Sequence, residues 1–145
     1  MTQNQHDRYL PESVFQALSD TTRLHIVLLL QQQHELCVCE LTHTLSLEQP
    51  KVSRHLANLR KIGLVTDRRE GTWVFYQLHP NLPDWIHTVV HAASTQGVDQ
   101  THLNQLTQRL TKMPGRPPRH TVQESNSSAR LTSRHASLES YPYPG

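Results

Sequence analysis

The stretch Gln49-Pro-Lys-Val-Ser-Arg-His-Leu-Ala-Asn-Leu-Arg-Lys61, with Gly63 two residues beyond it, decides the fold. Its spacing predicts a helix: at about 100° per residue, Val52, Leu56 and Leu59 line up as a narrow apolar stripe. Pro50 suits the first helical turn, where a missing N–H costs nothing, and Gly63 suits the position just past the end. Lys51, Arg54, Asn58 and Lys61 point away from the stripe, with Ser53 and His55 on its flanks. One face is made for a core and the opposite face for a polar groove. A helix of this kind fits the major groove of DNA. Gln49, Lys51, Ser53, Arg54, His55 and Asn58 are then the side chains within reach of bases or phosphates.

Upstream, Pro11–Leu18 reads as a short first helix with Val14, Phe15 and Leu18 on one side. Ser19-Asp20 offers an N-cap for a second helix over 23–32, mostly buried through Leu24, Ile26, Val27, Leu28 and Leu30. A third helix is expected to begin within 36–39 and run to about Leu45, and a tight turn over 46–48 joins it to the basic-faced helix. Downstream, 64–68 and 72–78 read as two strands around Arg69-Glu70-Gly71, with Arg68 and Arg69 placed to meet phosphates. Beyond Pro80 and Pro83, a fifth helix carries Trp85, Ile86, Val89, Val90 and Ala93. Gly97 interrupts it, and Asp99 caps a last helix with Leu103, Leu106 and Leu110. This order is the layout of a winged helix-turn-helix, mainly α with a β-hairpin wing. The outer helices hold more apolar surface than one short domain needs, so a homodimer is expected.

Length and charge agree with this reading. The 145 residues allow one domain with some excess, and a hydrophobic share of 35% places part of the chain outside any core. Residues 113–145 are rich in Pro, Ser, Thr and Asn without aliphatic periodicity and are expected to be a disordered tail. The domain is then 11–112, preceded by a flexible arm over 1–10. Arg116, Arg119, Arg130 and Arg134 outnumber Glu124 and Glu139 by the whole net charge of +2, so 1–112 is neutral. Within that neutral domain, Lys51, Arg54, Arg60, Lys61, Arg68 and Arg69 crowd together against Asp67 alone, a local basic block of the sort that meets nucleic acid. Residues 1–10 are polar and the aliphatic run 26–30 is too short for a bilayer, so no membrane partner is expected. Cys37 and Cys39, one residue apart, do not readily form an unstrained disulfide. A reducing compartment, the cytoplasm, is the expected location, which leaves both thiols free for chemistry.

The segments Ala17-Leu-Ser-Asp-Thr-Thr-Arg23, Glu35-Leu-Cys-Val-Cys-Glu-Leu41 and Gln49-Pro-Lys-Val-Ser-Arg-His-Leu56 resemble the ArsR/SmtB family of metal-responsive repressors. Gly71-Thr-Trp-Val-Phe-Tyr76 resembles its wing. The likeness spans about 11–95 and is nearest the arsenical-resistance branch. It implies a homodimer that binds double-stranded operator DNA when metal-free and releases it when an effector binds. No enzymatic activity is implied.

For that branch the effector is trivalent arsenic or antimony, soft ions that prefer two or three thiolates. Cys37 and Cys39 supply two. If both lay in a regular helix, their side chains would point about 200° apart, so chelation would have to distort the helix start. A helix N-terminus also favours the thiolate form. Where the arsenical repressors usually carry a third cysteine, this chain has Thr42, leaving His43 or His34 as possible third ligands. A set of two cysteines and two histidines would suit zinc or cadmium instead, and lead is a further alternative. Asp84, His87 and His91, with the two histidines four residues apart on one helix face, form a candidate second metal site. Two other readings compete: a thiol-oxidation sensor using the same cysteines, and a dithiol redox enzyme. The enzyme would be expected to space its cysteines by two residues beside a βαβ unit.

Overall fold

The computed structural model describes residues 9–118. Most of the N-terminal arm and of the tail, 1–8 and 119–145, lies outside the described residues. The chain divides into two units after Gly115, and the account below concerns the first.

Each element begins and ends where local chemistry dictates. Helix α1 (Pro11–Leu18) opens on proline, and α2 (Thr21–Gln33) is capped by Asp20, whose carboxylate accepts the Arg23 N–H at 3.0 Å. A two-residue strand, β1 (Leu36–Cys37), runs directly into α3 (Val38–Leu45). Ser46, in the left-handed region at φ 55°, turns the chain toward α4 (Gln49–Lys61), which starts with Pro50 in its first turn. Strands β2 (Val65–Glu70) and β3 (Trp73–Leu78) form the wing. Helix α5 (Asp84–Ala92) continues into a π-helical turn at Ala93–Gly97. Asp99 then caps α6 (Gln100–Thr111).

The hairpin is tighter than the sequence suggests. Glu70 pairs with Trp73, so the turn is Gly71-Thr72 alone, with Gly71 at φ 61°, and Arg69 belongs to the strand. The sheet has three strands in the order β1-β3-β2, all antiparallel neighbours. Beneath it lies one core. Ile26, Val27, Leu28, Leu29 and Leu30 of α2 pack with Leu41, with Val52, Leu56 and Leu59 of α4, with Ile86 and Val90 of α5, and with Leu103, Leu106 and Leu110 of α6. Burying each such side chain contributes roughly 1.5–3 kcal/mol, and the stripe on α4 anchors the basic helix by three of them. No helix among the described residues is long and apolar enough to cross a membrane.

Helix α4 ends in a double bond pattern. The Gly63 N–H donates to the Arg60 carbonyl at 3.0 Å, and the Leu64 N–H donates to the Leu59 carbonyl at 2.9 Å. Gly63 has φ 85°, and its carbonyl accepts the Tyr9 hydroxyl at 2.9 Å. Tyr9, expected in the arm, is 3% exposed, so the packed domain reaches at least this far toward the N-terminus. A Cβ at position 63 would lie 3.2 Å from the Tyr9 ring and hydroxyl. Gly63→Ala is therefore expected to cost about 1–2 kcal/mol from the left-handed backbone alone, and more if the ring cannot shift. Tyr9→Phe should cost about 1 kcal/mol. Urea denaturation of the full chain at matched concentration measures both.

Candidate nucleic-acid interface and thiol site

Along α4, Gln49, Lys51, Ser53, Arg54 and Asn58 are exposed while Val52, Leu56 and Leu59 are fully buried. The helix thus presents a continuous polar face backed by the core. His55, expected on the flank of the stripe and within reach of DNA, is on that flank but turned toward α2. It is half-buried against the start of α2, with Nδ1 3.4 Å from the Arg23 guanidinium and 3.9 Å from the Asp20 carboxylate. Arg23 is itself held by the Ala17 carbonyl, which accepts from Nε at 2.9 Å. The reason is angular: His55 flanks the apolar stripe, and the neighbouring helix claims it. Burial lowers its pKa, with Arg23, Lys51 and Arg54 acting in the same direction and Asp20 opposing them.

The wing arginines also part company. Arg69 is exposed. Arg68 is drawn inward, although the sequence reading placed it at a phosphate. Its Nε and Nη2 donate to the two Glu35 oxygens at 2.6 and 2.7 Å, and Nη1 donates to Glu70 at 3.1 Å. The guanidinium lies 4.8 Å from the centre of the Phe75 ring. Hydrogen bonding to Glu35 is the main cause of its raised pKa. Strand alternation explains the split, since adjacent residues on β2 face opposite sides of the sheet. Asp67 meets Arg60 at 3.5 Å, so the acid inside the basic block is paired.

The cysteine geometry departs from a regular helix drawn through both residues. Helix α3 begins at Val38, and Cys37 is its N-cap in an extended conformation, φ −83° and ψ 167°, paired with Phe75 on β3. With one cysteine in a strand and the other in the first helical turn, the side chains converge, and no helix distortion is needed. Their Cα atoms are 5.4 Å apart and their sulfurs are joined as a disulfide. Cys37 Sγ accepts the Glu40 N–H at 3.4 Å, while a Glu40 oxygen accepts the Cys37 N–H at 2.9 Å. This is a capping box with sulfur in place of the usual hydroxyl. The sequence pattern Cys37-x-x-Glu40 carried that signal, but the third helix was expected to begin within 36–39 without a strand before it. Cys37 and Glu40 are buried and Cys39 is half-buried, so the pair meets solvent through Cys39.

The Thr42 hydroxyl donates to the Cys39 carbonyl at 2.8 Å. His34, exposed at the end of α2 with φ 70°, and His43, exposed on α3, are not gathered with the cysteines. Among the described residues no three His, Cys, Asp or Glu side chains are arranged to hold a metal ion, and that includes Asp84, His87 and His91 on α5.

The model of the arsR family of bacterial regulatory proteins matches residues 20–67, from the cap of α2 into the wing. The arsenic resistance transcriptional regulator ArsR1 of Pseudomonas putida is 47% identical over 107 residues, covering 74% of this chain and 82% of that protein. The arsenical resistance operon repressor of Escherichia coli is 51% identical over 84 residues, covering 58% of this chain and 72% of its own. Among solved structures, HlyU from Vibrio cholerae matches with a TM-score of 0.53 at 32% identity, covering 66% of this chain and 100% of that one.

The electrostatics predict acid sensitivity. The pKa of His25 is lowered by burial and by His102, and that of His55 mainly by burial, both from 6.5. Below that value the unfolded chain binds more protons than the folded one, so their stabilising effect is present above 6.5 and lost as pH falls. The melting temperature should drop between pH 7.5 and 5.5, and His55→Gln should flatten the profile. A profile unchanged by His55→Gln would place the titrating group elsewhere.

Proposed function

The chain belongs to the arsR family of bacterial regulatory proteins, DNA-binding transcriptional regulators rather than enzymes, and we propose that it is a homodimeric operator repressor released when trivalent arsenic or antimony binds Cys37 and Cys39. The observation that carries this is the convergence of two sulfurs at the cap of α3, in a chain similar to arsenical-resistance repressors. The reduced pair offers two soft donors at one point, which fits a thiol-seeking metalloid. Zinc and cadmium, which favour four ligands, find no third donor gathered among the described residues. Free thiols of this kind suit a reducing compartment, the cytoplasm.

Operator contact is assigned to Gln49, Lys51, Ser53, Arg54 and Asn58 on α4 and to Arg69 on the wing. Dimerisation is assigned to α1 and α5. Leu10 and Phe15 are half-exposed apolar side chains, and the Phe15 ring lies 6.1 Å from that of Trp85, an apolar patch that a second copy would cover. Palindromic half-sites about one or two turns apart would follow.

The disulfide supports a second reading, in which thiol oxidation is the signal. A hydroperoxide would take two electrons and two hydrogens from the pair, leaving the disulfide, an alcohol and water.

Serine substitutions separate these roles. Serine is a better helix cap than cysteine, so Cys37→Ser keeps the capping box while removing the soft donor. Cys37→Ser and Cys39→Ser should bind operator as the wild type does, yet resist release by arsenite in fluorescence anisotropy under reducing conditions. His34→Ala and His43→Ala should respond normally to arsenite. Release of the double serine variant by arsenite would exclude these thiols as the sensor. Release of the wild type by peroxide but not by arsenite would favour the oxidation reading. Arg54→Ala should weaken operator binding by about 1–3 kcal/mol and relax its sequence preference. Phe15→Ser should shift sedimentation toward the monomer and weaken operator binding with it.

A further inference from the structure

The sheet places the thiol site and the wing in one row. Cys37 on β1 is the register partner of Phe75 on β3, and Phe75 is the register partner of Arg68 on β2. The row is closed from above, because the Arg68 guanidinium stacks over Phe75 and grips Glu35, two residues before Cys37, with both arms of its fork. The side chains of this pair are 31% and 16% exposed, which takes the contact out of the weak class of solvent-screened surface pairs. On its other side Arg68 holds Glu70, beside the Gly71-Thr72 turn. The two chain segments that the fork ties together are 33 positions apart in the sequence. One leads into the capping box and the other carries exposed Arg69 to the tip of the wing.

We infer that Glu35 and Arg68 are positioning residues that transmit the state of the Cys37–Cys39 pair to the wing, and that Arg68 is not a phosphate contact. The inference rests on the proposed sensing role of the cysteines. Ligation at Cys37 acts on the backbone of β1. Because the residue that leads into β1 is pinned to β2 by the Glu35–Arg68 fork, and β1 itself to β3 by backbone bonds, the wing follows it as one body. Without the fork, β1 can shift against a wing that stays where DNA holds it, and ligand and operator no longer oppose one another.

The test is a double-mutant cycle on release. Operator affinity of the full chain is measured by anisotropy with and without arsenite, for the wild type, Glu35→Gln, Arg68→Gln and the double variant. Arsenite binding is followed separately through protection of the two thiols from alkylation. Glu35→Gln is nearly isosteric and keeps the fold accessible to test if Arg68→Gln is unstable. Each single variant should protect its thiols at the wild-type arsenite concentration, yet show at least a fivefold smaller arsenite-induced change in operator affinity. The double variant should lose no more than either single one. The slope of log affinity against log salt should be unchanged by Arg68→Gln and should fall by about one with Arg69→Ala. Full release of both single variants, or a salt slope lowered by Arg68→Gln, would overturn the inference. A wild type that arsenite fails to release would overturn the sensing role and the coupling together, whereas undiminished release of the variants beside a responsive wild type overturns the coupling alone.

Discussion

The reciprocal bonds between Cys37 and Glu40 are the constraint on which the rest of the molecule depends. The first turn of a helix leaves backbone N–H groups without partners. Here one of them goes to the Cys37 sulfur, and the Glu40 carboxylate returns the favour to the Cys37 N–H. That exchange holds Cys37 extended at the moment the chain becomes helical. An extended Cys37 can lie beside Phe75, so β1 joins the hairpin as a third strand. It also turns the Cys37 side chain toward Cys39. Helix start, sheet edge and thiol pair are therefore set by the same two hydrogen bonds. A sulfur acceptor is weak, which makes this cap more easily altered by chemistry at the sulfur than a hydroxyl cap would be.

The basic helix is fixed by different means at its two ends. At its C-terminal end the Gly63 turn and the Tyr9 hydroxyl clamp the last carbonyls, so the segment before α1 contributes to the position of the polar face. In its middle, His55 leans on Asp20 and Arg23, connecting α4 to the cap of α2. Three buried side chains then seat the helix in the core. A surface that is to meet DNA side chain by side chain needs such a rigid base, because loosely held contacts lose orientation and with it discrimination.

Much of this was legible in the sequence, and the exceptions have physical causes. The extent of α1, the period of α4, the caps at Asp20 and Asp99 and the stop at Gly63 follow from local chemistry, which a single sequence exposes. Strand β1 does not. Two residues carry no periodicity, and Leu36-Cys37 becomes a strand only because β3 lies alongside, a long-range fact. The same omission spoiled the geometry of the thiols, since a helix drawn through both cysteines points them apart. His55 and Arg68 have partners that the local pattern does not reveal. The residues they touch, Arg23 and Glu35, lie 32 and 33 positions away in the chain. Arg69 and Arg54 stay where their type suggests, at the surface.

Convergent sulfurs change what release requires on the proposed reading. A helix that had to unwind to chelate would tie effector binding to the large cost of disrupting a packed element. Here the donors already meet, so binding need only alter the cap. Allosteric coupling of the usual size, about 1–3 kcal/mol, corresponds to roughly 5–150-fold in affinity. Losing a helix cap is worth about 1 kcal/mol, and a charge-assisted hydrogen bond about 1.5–3 kcal/mol. The capping box at Cys37 and the Glu35–Arg68 fork are thus together of the right magnitude, without any element unfolding. Both act through one short strand at the edge of the wing. On that reading, a response that small and that local would leave the core of α2, α4, α5 and α6 intact.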